Sequence, residues 1–466
     1  MGKIRRGRVA TAVAVAAAAV AGAVLMPADA MAKPLTAPAD FNGDGYRDLV
    51  VPAPTAKVGS KDGAGAVVVL YGSKSGVSTT RKAVITQNTA GVPDSAETED
   101  LFGASTAYAD LDKDGYSDLL VGAPWEDLGT TKNAGTVTVL WGGKKGLAAA
   151  STLPVPRAAE GRFGMDVSAL RESRGARVLV GGYGGSVEFG GTFKRDGSVG
   201  VKSLNDMSPS VAGVELADLQ HDGYADSIVT SLRIGGQTGG LVYVNPGIGR
   251  RPLPGDGTTT AVGDVNGDGY NDLVVGDPDE PMAGTSGHLG GEVALWYGGR
   301  NGLASAPVRM SQNTPGVAGA SAKDNEFGTS VAVADLNKDG VGDLVIGVPG
   351  QKQNNKARAG VVVVIPGKRT GALGSGSYAL SQETPSVPST SQPGEGFGTT
   401  LALGDLNRDG HPELIVGARG EDRSNGAVWV LPGTSTRLTG KGSVELTAAK
   451  LGVAGDLPQV GGFLPN

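Results

Sequence analysis

Asp40-Phe41-Asn42-Gly43-Asp44-Gly45-Tyr46-Arg47-Asp48 is the stretch that decides the fold, because the same nine-residue pattern returns along the chain. An acid opens the pattern, Asn, Asp or Gln stands at position 3, Asp-Gly fills positions 5 and 6, and an acid closes it. Six copies occur, at residues 40–48, 110–118, 218–226, 264–272, 335–343 and 405–413. This recurrence predicts a repeat architecture in which each copy marks one structural unit.

The spacing of the copies gives the number of units. Successive copies start 70, 108, 46, 71 and 70 residues apart, and the gap of 108 is twice 54. A seventh copy fits inside that gap, where Leu170-Arg171-Glu172-Ser173-Arg174 has lost most of the acids. Without residues 1–32 the chain has 434 residues, so seven units average 62 residues each.

The residues around each copy predict short strands. Small and apolar runs flank the loops, as at 330–334 and 344–346, and a third strand recurs as Gly-x-Val-x-Val-Leu at 65–70 and 135–140. A weaker fourth strand follows a glycine turn. We therefore predict an all-β fold, a seven-bladed β-propeller of four-stranded antiparallel blades, because radial closure protects strand edges. A linear β-solenoid is the alternative, although its rungs are shorter.

The two chain ends indicate how the ring closes. The chain finishes at Gly461-Gly462-Phe463-Leu464, which resembles the start of a unit but has no loop after it. Few residues of strand precede Asp40. We expect the C-terminal segment to complete the first blade and close the ring.

Residues 1–32 have the features of a secretory signal peptide. Basic residues between Lys3 and Arg8 precede the apolar run 9–26, and small residues at Ala28, Ala30 and Ala32 follow it. A retained membrane anchor is the alternative, because the run approaches spanning length. We expect cleavage, a propeller domain over 33–466 with no membrane insertion, and a secreted or extracellular location with possible retention at the cell surface.

Composition narrows the function classes. The formal net charge is -6, and removing the leader takes it to -9, so nothing favours a nucleic-acid partner. Cysteine is absent, so no disulfide can stabilise the fold outside the cell. Nothing in the composition indicates an oligomer, and we expect a monomer.

The loops have the oxygen pattern of a calcium site. Side-chain oxygens at positions 1, 3, 5 and 9 and the backbone carbonyl of position 7 can converge on one hard cation, and their number favours calcium over magnesium. The alternative is a set of solvated Asp-Gly turns, which six copies in register make the weaker interpretation. We expect up to six calcium ions, bound more weakly where Gln220 and Glu413 depart from the pattern. The predicted ligands are Asp40, Asn42, Asp44, Tyr46, Asp48; Asp110, Asp112, Asp114, Tyr116, Asp118; Asp218, Gln220, Asp222, Tyr224, Asp226; Asp264, Asn266, Asp268, Tyr270, Asp272; Asp335, Asn337, Asp339, Val341, Asp343; and Asp405, Asn407, Asp409, His411, Glu413.

Two further motifs carry a resemblance to a known family. Phe-Gly occurs at residues 102–103, 163–164, 327–328 and 397–398, and Gly-Ala-Pro or a relative at 52–54, 122–124, 276–278 and 347–349. Together with the loops, they resemble the FG-GAP repeat of integrin α chains over essentially the whole mature sequence. At the Phe-Gly positions, units four and five have Ser210-Val211 and Asp256-Gly257 instead.

The resemblance implies a binding module. In the integrin-like arrangement the metal loops lie on one face and ligands meet the opposite face. The contact loops implied here are residues 125–127, 277–282, 351–358 and 419–423, with Trp125 the strongest single candidate. The alternative for Trp125 is that it packs under its own loop. We expect a non-catalytic binding or adhesion module for an extracellular protein or glycan.

The alternative is a secreted propeller enzyme, a hydrolase or lyase acting on an extracellular polysaccharide or ester. The chain has three histidines, two of them inside the loops, and has neither a His-x-x-x-His pair nor a Gly-x-Ser-x-Gly motif. An acid pair at the axis of the ring would be the place for such chemistry. We expect no catalytic residues, so binding is the preferred function.

Overall fold

Seven small antiparallel sheets, each built from strands that are consecutive in the chain, make up the computed structural model. It describes residues 39–173, 175–205, 210–233, 239–246, 251–281, 287–455 and 457–462. These residues lie within one compact unit, Leu35–Asn466. The predicted seven-bladed β-propeller is therefore confirmed, whereas the predicted leader lies outside the described residues.

The strands are numbered in chain order. Blade 1 has β1 (Leu49–Ala53), β2 (Ala66–Leu70) and β3 (Lys82–Ile85), and blade 2 has β4 (Ser105–Ala109), β5 (Asp118–Ala123), β6 (Thr136–Trp141) and β7 (Ala149–Thr152). Blade 3 has β8 (Asp166–Glu172), β9 (Gly175–Gly182), β10 (Gly185–Phe193) and β11 (Val199–Asn205), and blade 4 has β12 (Val211–Ala217), β13 (Asp226–Arg233), β14 (Gly240–Val244) and β15 (Asp256–Gly257). Blade 5 has β16 (Thr259–Gly263), β17 (Asp272–Asp277), β18 (Glu292–Trp296) and β19 (Val308–Met310), and blade 6 has β20 (Val331–Ala334), β21 (Asp343–Val348), β22 (Val361–Ile365) and β23 (Tyr378–Leu380). Blade 7 has β24 (Thr400–Gly404), β25 (Glu413–Ala418), β26 (Ala427–Leu431) and β27 (Val444–Thr447), and two four-residue helices, α1 (Glu421–Ser424) and α2 (Ala448–Leu451), complete the described elements.

The core lies between the blades. In blades 2, 5, 6 and 7 the second and third strands, such as β21 and β22, are buried at every residue, because the neighbouring sheets cover both of their faces. This explains why they read as continuous Val, Ile and Leu runs rather than as alternating patterns. The fourth strand is the outer edge, and β19 is exposed at two of its three residues. No helix among the described residues is both long enough and apolar enough to cross a bilayer.

Glycines at the start of the third strands let neighbouring blades approach closely. Gly65 has φ +91°, and a Cβ there would lie 2.2 Å from the carbonyl oxygen of Phe102 in the next blade. A side chain at this position is therefore excluded both by the backbone conformation and by the contact. The Phe-Gly motif thus marks the point where each blade docks on the blade before it.

The C-terminal segment closes the ring, as predicted. Gly461 N–H donates to the carbonyl of Pro52 in blade 1 at 3.3 Å, and Val460 N–H donates to Asn425 of blade 7 at 3.0 Å. Gly426 meets the backbone of Val460 as Gly65 meets Phe102. The docking pair is therefore Val460-Gly461 rather than a motif at Phe463, which lies outside the described residues.

Blade 1 has three strands among the described residues. The eroded copy in blade 3 is a tight hairpin between β8 and β9, which pair from Asp166 to Glu172.

In blade 5 the predicted position of the Phe-Gly equivalent is wrong by one residue. Its docking pair is Gly257-Thr258, one residue later than expected, because Thr258 N–H donates to the Gly276 carbonyl as Gly103 N–H does to Gly122.

Candidate metal loops and the opposite face

The six acidic loops all lie on one face of the propeller. In blades 2, 4, 5, 6 and 7 the loop joins the first strand to the second, as residues 110–118 join β4 to β5, and antiparallel order puts these turns at the same end of each sheet. We call them the blade-1, blade-2, blade-4, blade-5, blade-6 and blade-7 loops, in the order of the six copies. The blade-1 loop directly precedes β1.

The first acid of each loop organises the turn. In the blade-5 loop, Asp264 accepts the N–H groups of Asp268 and Gly269, at 3.1 and 2.8 Å. Equivalent pairs of bonds occur at the first acids of the blade-1, blade-4, blade-6 and blade-7 loops. The backbone thus wraps round this carboxylate.

The last acid anchors the loop to the blade. Asp118 accepts the N–H of Leu111 and the N–H of Gly142, both at 2.9 Å, and so ties the loop to the end of the third strand. Burial raises the pKa of Asp118 to about 7 and that of Asp343 to about 6. A charged carboxylate at these positions is therefore costly unless a cation offsets the burial.

The donor set fits a hard cation. In the blade-2 loop, carboxylate oxygens of Asp110, Asp112 and Asp118 lie within 4.8 Å of one another, and Asp110 Oδ1 is buried without a hydrogen-bond partner. In the other five loops Asn or Gln replaces the acid at position 3, and among the described residues no second trio of acids lies this close together. Gln220 and Glu413 are the two residues that depart from the loop pattern. The longer side chain of Glu413 accepts a hydrogen bond from Asn407 Nδ2 at 2.8 Å.

The loops also contact one another across blade boundaries. Ser117 N–H of the blade-2 loop donates to the Asp40 carbonyl at 3.0 Å, and Gly342 N–H of the blade-6 loop donates to that of Asp264 at 2.7 Å. Lys338 Nζ reaches the Asp409 carbonyl in the blade-7 loop at 3.3 Å. A change in one loop is therefore transmitted directly to its neighbour, a connection that sequence spacing does not reveal.

Trp125 lies on the opposite face, where β5 ends. It lines an open cleft of about 450 Å³ between blades 1 and 2 and the C-terminal segment. The guanidinium of Arg162 lies 5.0 Å from the centre of the Trp125 ring and 4.6 Å from that of Tyr183. The other lining residues are Thr55, Asp62, Gly63, Glu99, Leu101, Leu457 and Gln459.

Buried polar clusters hold three blade junctions together on this face. Gln87, at the end of blade 1, donates to Glu126 of blade 2, and Gln382 donates to Glu421 of blade 7 at 2.8 Å. Between blades 5 and 6, Gln312 donates to Gln351 at 2.6 Å. The two residues of each pair are 39 positions apart in the chain, so the repeated spacing could have been found in the sequence.

We call the junctions with Glu126 and Glu421 the acidic junctions and the junction with Gln351 the amide junction. The two kinds differ in one hydrogen bond. Asn325 Nδ2 donates to Gln312 Oε1 at 2.7 Å, so the amide junction is satisfied. Asp100 and Glu395 stand at the position of Asn325 in the other two, and there Gln87 Oε1 and Gln382 Oε1 are buried without a partner. Burial, followed by the charge of Asp100, raises the pKa of Glu126 to about 9.

These features define a class: a closed seven-bladed propeller with acidic loops on one face and an aromatic cleft on the other. The FG-GAP repeat matches residues 35–70, 102–140, 257–295, 327–365 and 397–431. The third match begins at Gly257, in agreement with the corrected register. The chain therefore contains five FG-GAP repeats within a β-propeller and is similar in sequence to integrin alpha chains.

Curated relatives share part of their length with this chain. Phosphatidylinositol-glycan-specific phospholipase D of Bos taurus is 35% identical over 156 residues, which are 33% of this chain and 17% of the relative. Integrin alpha-7 of Homo sapiens is 32% identical over 174 residues, 36% of this chain and 13% of the relative. Integrin alpha pat-2 of Caenorhabditis elegans is 28% identical over 211 residues, 42% and 15% respectively. The chain thus spans less than a fifth of the length of each of them.

Proposed function

We propose that this chain is a secreted, calcium-stabilised binding module for an extracellular protein or glycan. Export by residues 1–32, up to six calcium ions in the loops and a monomeric state belong to this proposal, as does the absence of nucleic-acid partners. The closing acids Asp272 and Asp343 of the blade-5 and blade-6 loops, which burial makes costly to ionise, support the calcium, and the integrin relatives support the binding role.

The observation that carries the binding role is the cleft beside Trp125. A half-buried Trp among polar side chains, with its ring stacked on Arg162, presents rigid apolar surface to a ligand. Leu457 adds a side chain that is 47% exposed, and Asp62, Glu99 and Gln459 add polar groups. Clefts of this size with a few convergent polar groups are typical of ligand sites.

The test is a protein and glycan array probed with the calcium-loaded chain. We expect saturable binding without consumption of the ligand, at least tenfold weaker binding by Trp125→Ala, and loss of binding on chelation. Tyr224→Ala is the control, because that exposed aromatic lies on the loop face and would contribute to the predicted calcium site only through its backbone carbonyl. Unchanged binding by folded Trp125→Ala would reject the cleft as the site.

A second candidate is hydrolytic activity, favoured by two acids near the axis and by the phospholipase D relatives. Asp166 on β8 accepts the N–H of Val214 on β12 at 2.7 Å, and Glu215 Oε2 is buried without a partner. Burial raises the pKa of Glu215 to about 7, a value suited to a general acid. Consumption of an arrayed ligand that Glu215→Gln abolishes would establish this activity and displace the binding module.

A further inference from the structure

The blade-2 loop has the most acidic ligand set of the six. It has Asp at positions 1, 3, 5 and 9, whereas each of the other loops has three acids at those positions. By charge count alone it should attract calcium most strongly. Its surroundings oppose that expectation.

Two arginines of blade 3 already pair with this loop. Arg171 forms an ion pair with Asp110. Arg195 Nε lies 2.8 Å from Asp112 Oδ2, and its Nη2 lies 2.6 Å from Asp114 Oδ2. Three of the four carboxylates therefore have a guanidinium partner.

The arginines are held in place by the fold. Arg171 belongs to β8, at the eroded copy, where blade 3 has a tight hairpin in place of a loop. Arg195 lies in the turn between β10 and β11, donates to the Gly142 carbonyl at 3.1 Å and stacks 5.7 Å from the Trp141 ring. The blade that lacks a metal loop thus supplies two positive charges to its neighbour.

Among the described residues, the carboxylates of the other loops have fewer ion pairs than those of the blade-2 loop. Asp44 in the blade-1 loop has one ion pair, with Arg81 at 2.9 Å, and the carboxylates of the blade-4 to blade-7 loops have none there. Arg369, beside the blade-5 and blade-6 loops, donates to the backbone carbonyls of Gly267, Asp339 and Gly340 instead.

The pairing alters the loop itself. Asp110 accepts one backbone N–H, that of Gly115, at 3.3 Å. Asp335 and Asp405, the first acids of the blade-6 and blade-7 loops, accept two each, the shorter at 2.9 and 2.8 Å, and Asp264 of the blade-5 loop accepts three, the shortest at 2.6 Å. The backbone is thus bonded less tightly round Asp110, whose Oδ2 accepts from both Gly115 and Arg171 while its Oδ1 has no hydrogen-bond partner.

We propose that Arg171 and Arg195 neutralise the blade-2 loop in place of calcium, so that this loop binds the ion more weakly than the blade-5, blade-6 and blade-7 loops. This rests on the proposed calcium binding of those other loops. A calcium ion must take carboxylate oxygens from the guanidinium groups and then remain beside two like charges. The junction of blades 2 and 3 stays bridged without metal.

The test counts bound calcium by native mass spectrometry and measures affinities by calorimetry. The variants are wild type, Arg195→Met and Arg171→Met/Arg195→Met, each with and without Asp112→Asn/Asp114→Asn. In wild type we expect the Asp-to-Asn pair to leave the number of tightly bound ions unchanged. In the arginine variants we expect one additional tight ion, bound at least tenfold more strongly, which the Asp-to-Asn pair removes. Arg369→Met is the matched control and should leave the count unaltered.

Two results would overturn the inference: loss of a tightly bound ion when Asp112 and Asp114 are changed in wild type, or calcium affinities that the arginine variants leave unaltered. Failure of wild type to bind any calcium is a distinguishable result, which overturns the proposed calcium role as well. If the double arginine variant does not fold by circular dichroism, Arg195→Met alone carries the comparison.

Discussion

Glu126 is a carboxyl whose protonation is set by its surroundings. It is 1% exposed and accepts from Gln87, whose Oε1 has no partner. Gln351, the neutral counterpart of a protonated Glu, occupies the same position in blade 6. A proton on either acid of the junction could satisfy the orphaned Oε1, as Asn325 does in the amide junction.

Replacing this acid by its amide should remove a pH dependence of stability. The pKa of Glu126 in the folded state, about 9, lies above the ordinary Glu pKa of 4.5, so the folded state holds the proton more tightly. Its stabilising effect is therefore complete below pH 4.5 and is lost as the pH rises towards 9. We expect the free energy of unfolding of Glu126→Gln to exceed that of wild type by about 3 kcal/mol at pH 7. The difference should be larger at pH 8.5, and urea melts with saturating calcium measure it.

The reciprocal substitution is the control. Gln351→Glu should introduce the same dependence at the amide junction and destabilise the protein increasingly from pH 5 to pH 8.5. An equal stability difference between Glu126→Gln and wild type at both pH values would contradict the assignment of a raised pKa.

At the level of strands and segments, local signals predicted most of the fold. Each loop, its flanking strands and its glycines are encoded within about ten residues, so blade number and loop positions could be read from the sequence. The docking pair of blade 5 was misplaced by one residue because Phe is absent there and Thr258 is fixed by a bond to Gly276. The arginine contacts to the blade-2 loop join residues 61 to 83 apart, which no local pattern encodes.

The C-terminal segment provides a prediction at this scale. Val460 is fully buried between blades 7 and 1, whereas Leu457 three residues earlier is 47% exposed. We expect Val460→Asp to lower the free energy of unfolding by about 3 kcal/mol or more, because it buries a carboxylate without a partner. Leu457→Asp should change it by less than about 1 kcal/mol. Equal urea midpoints for the two variants would mean that the segment does not close the ring.

At the scale of the whole molecule, the ring has two kinds of junction. On the loop face, neighbouring loops bond through backbone groups and cluster acids that burial makes costly to charge. On the opposite face, amide and carboxyl side chains bridge three junctions, and at the last junction Val460 and Leu451 pack with apolar side chains of blades 7 and 1. Since the protein has no cysteine, covalent cross-links do not contribute.

Removing calcium should therefore destabilise the ring as a unit. A site with a dissociation constant near 10⁻⁴ M contributes about 1.4 kcal/mol at millimolar calcium, so five such sites contribute about 7 kcal/mol. We expect a chelator to lower the melting temperature by on the order of 10 °C in one cooperative transition, since every loop touches a neighbouring blade. Magnesium at the same concentration should restore little of it, because it accepts fewer oxygens in a stricter geometry. A melting curve that the chelator leaves unchanged would mean that the acid loops are turns without metal, and a curve that splits into two transitions would mean that the blades do not respond together.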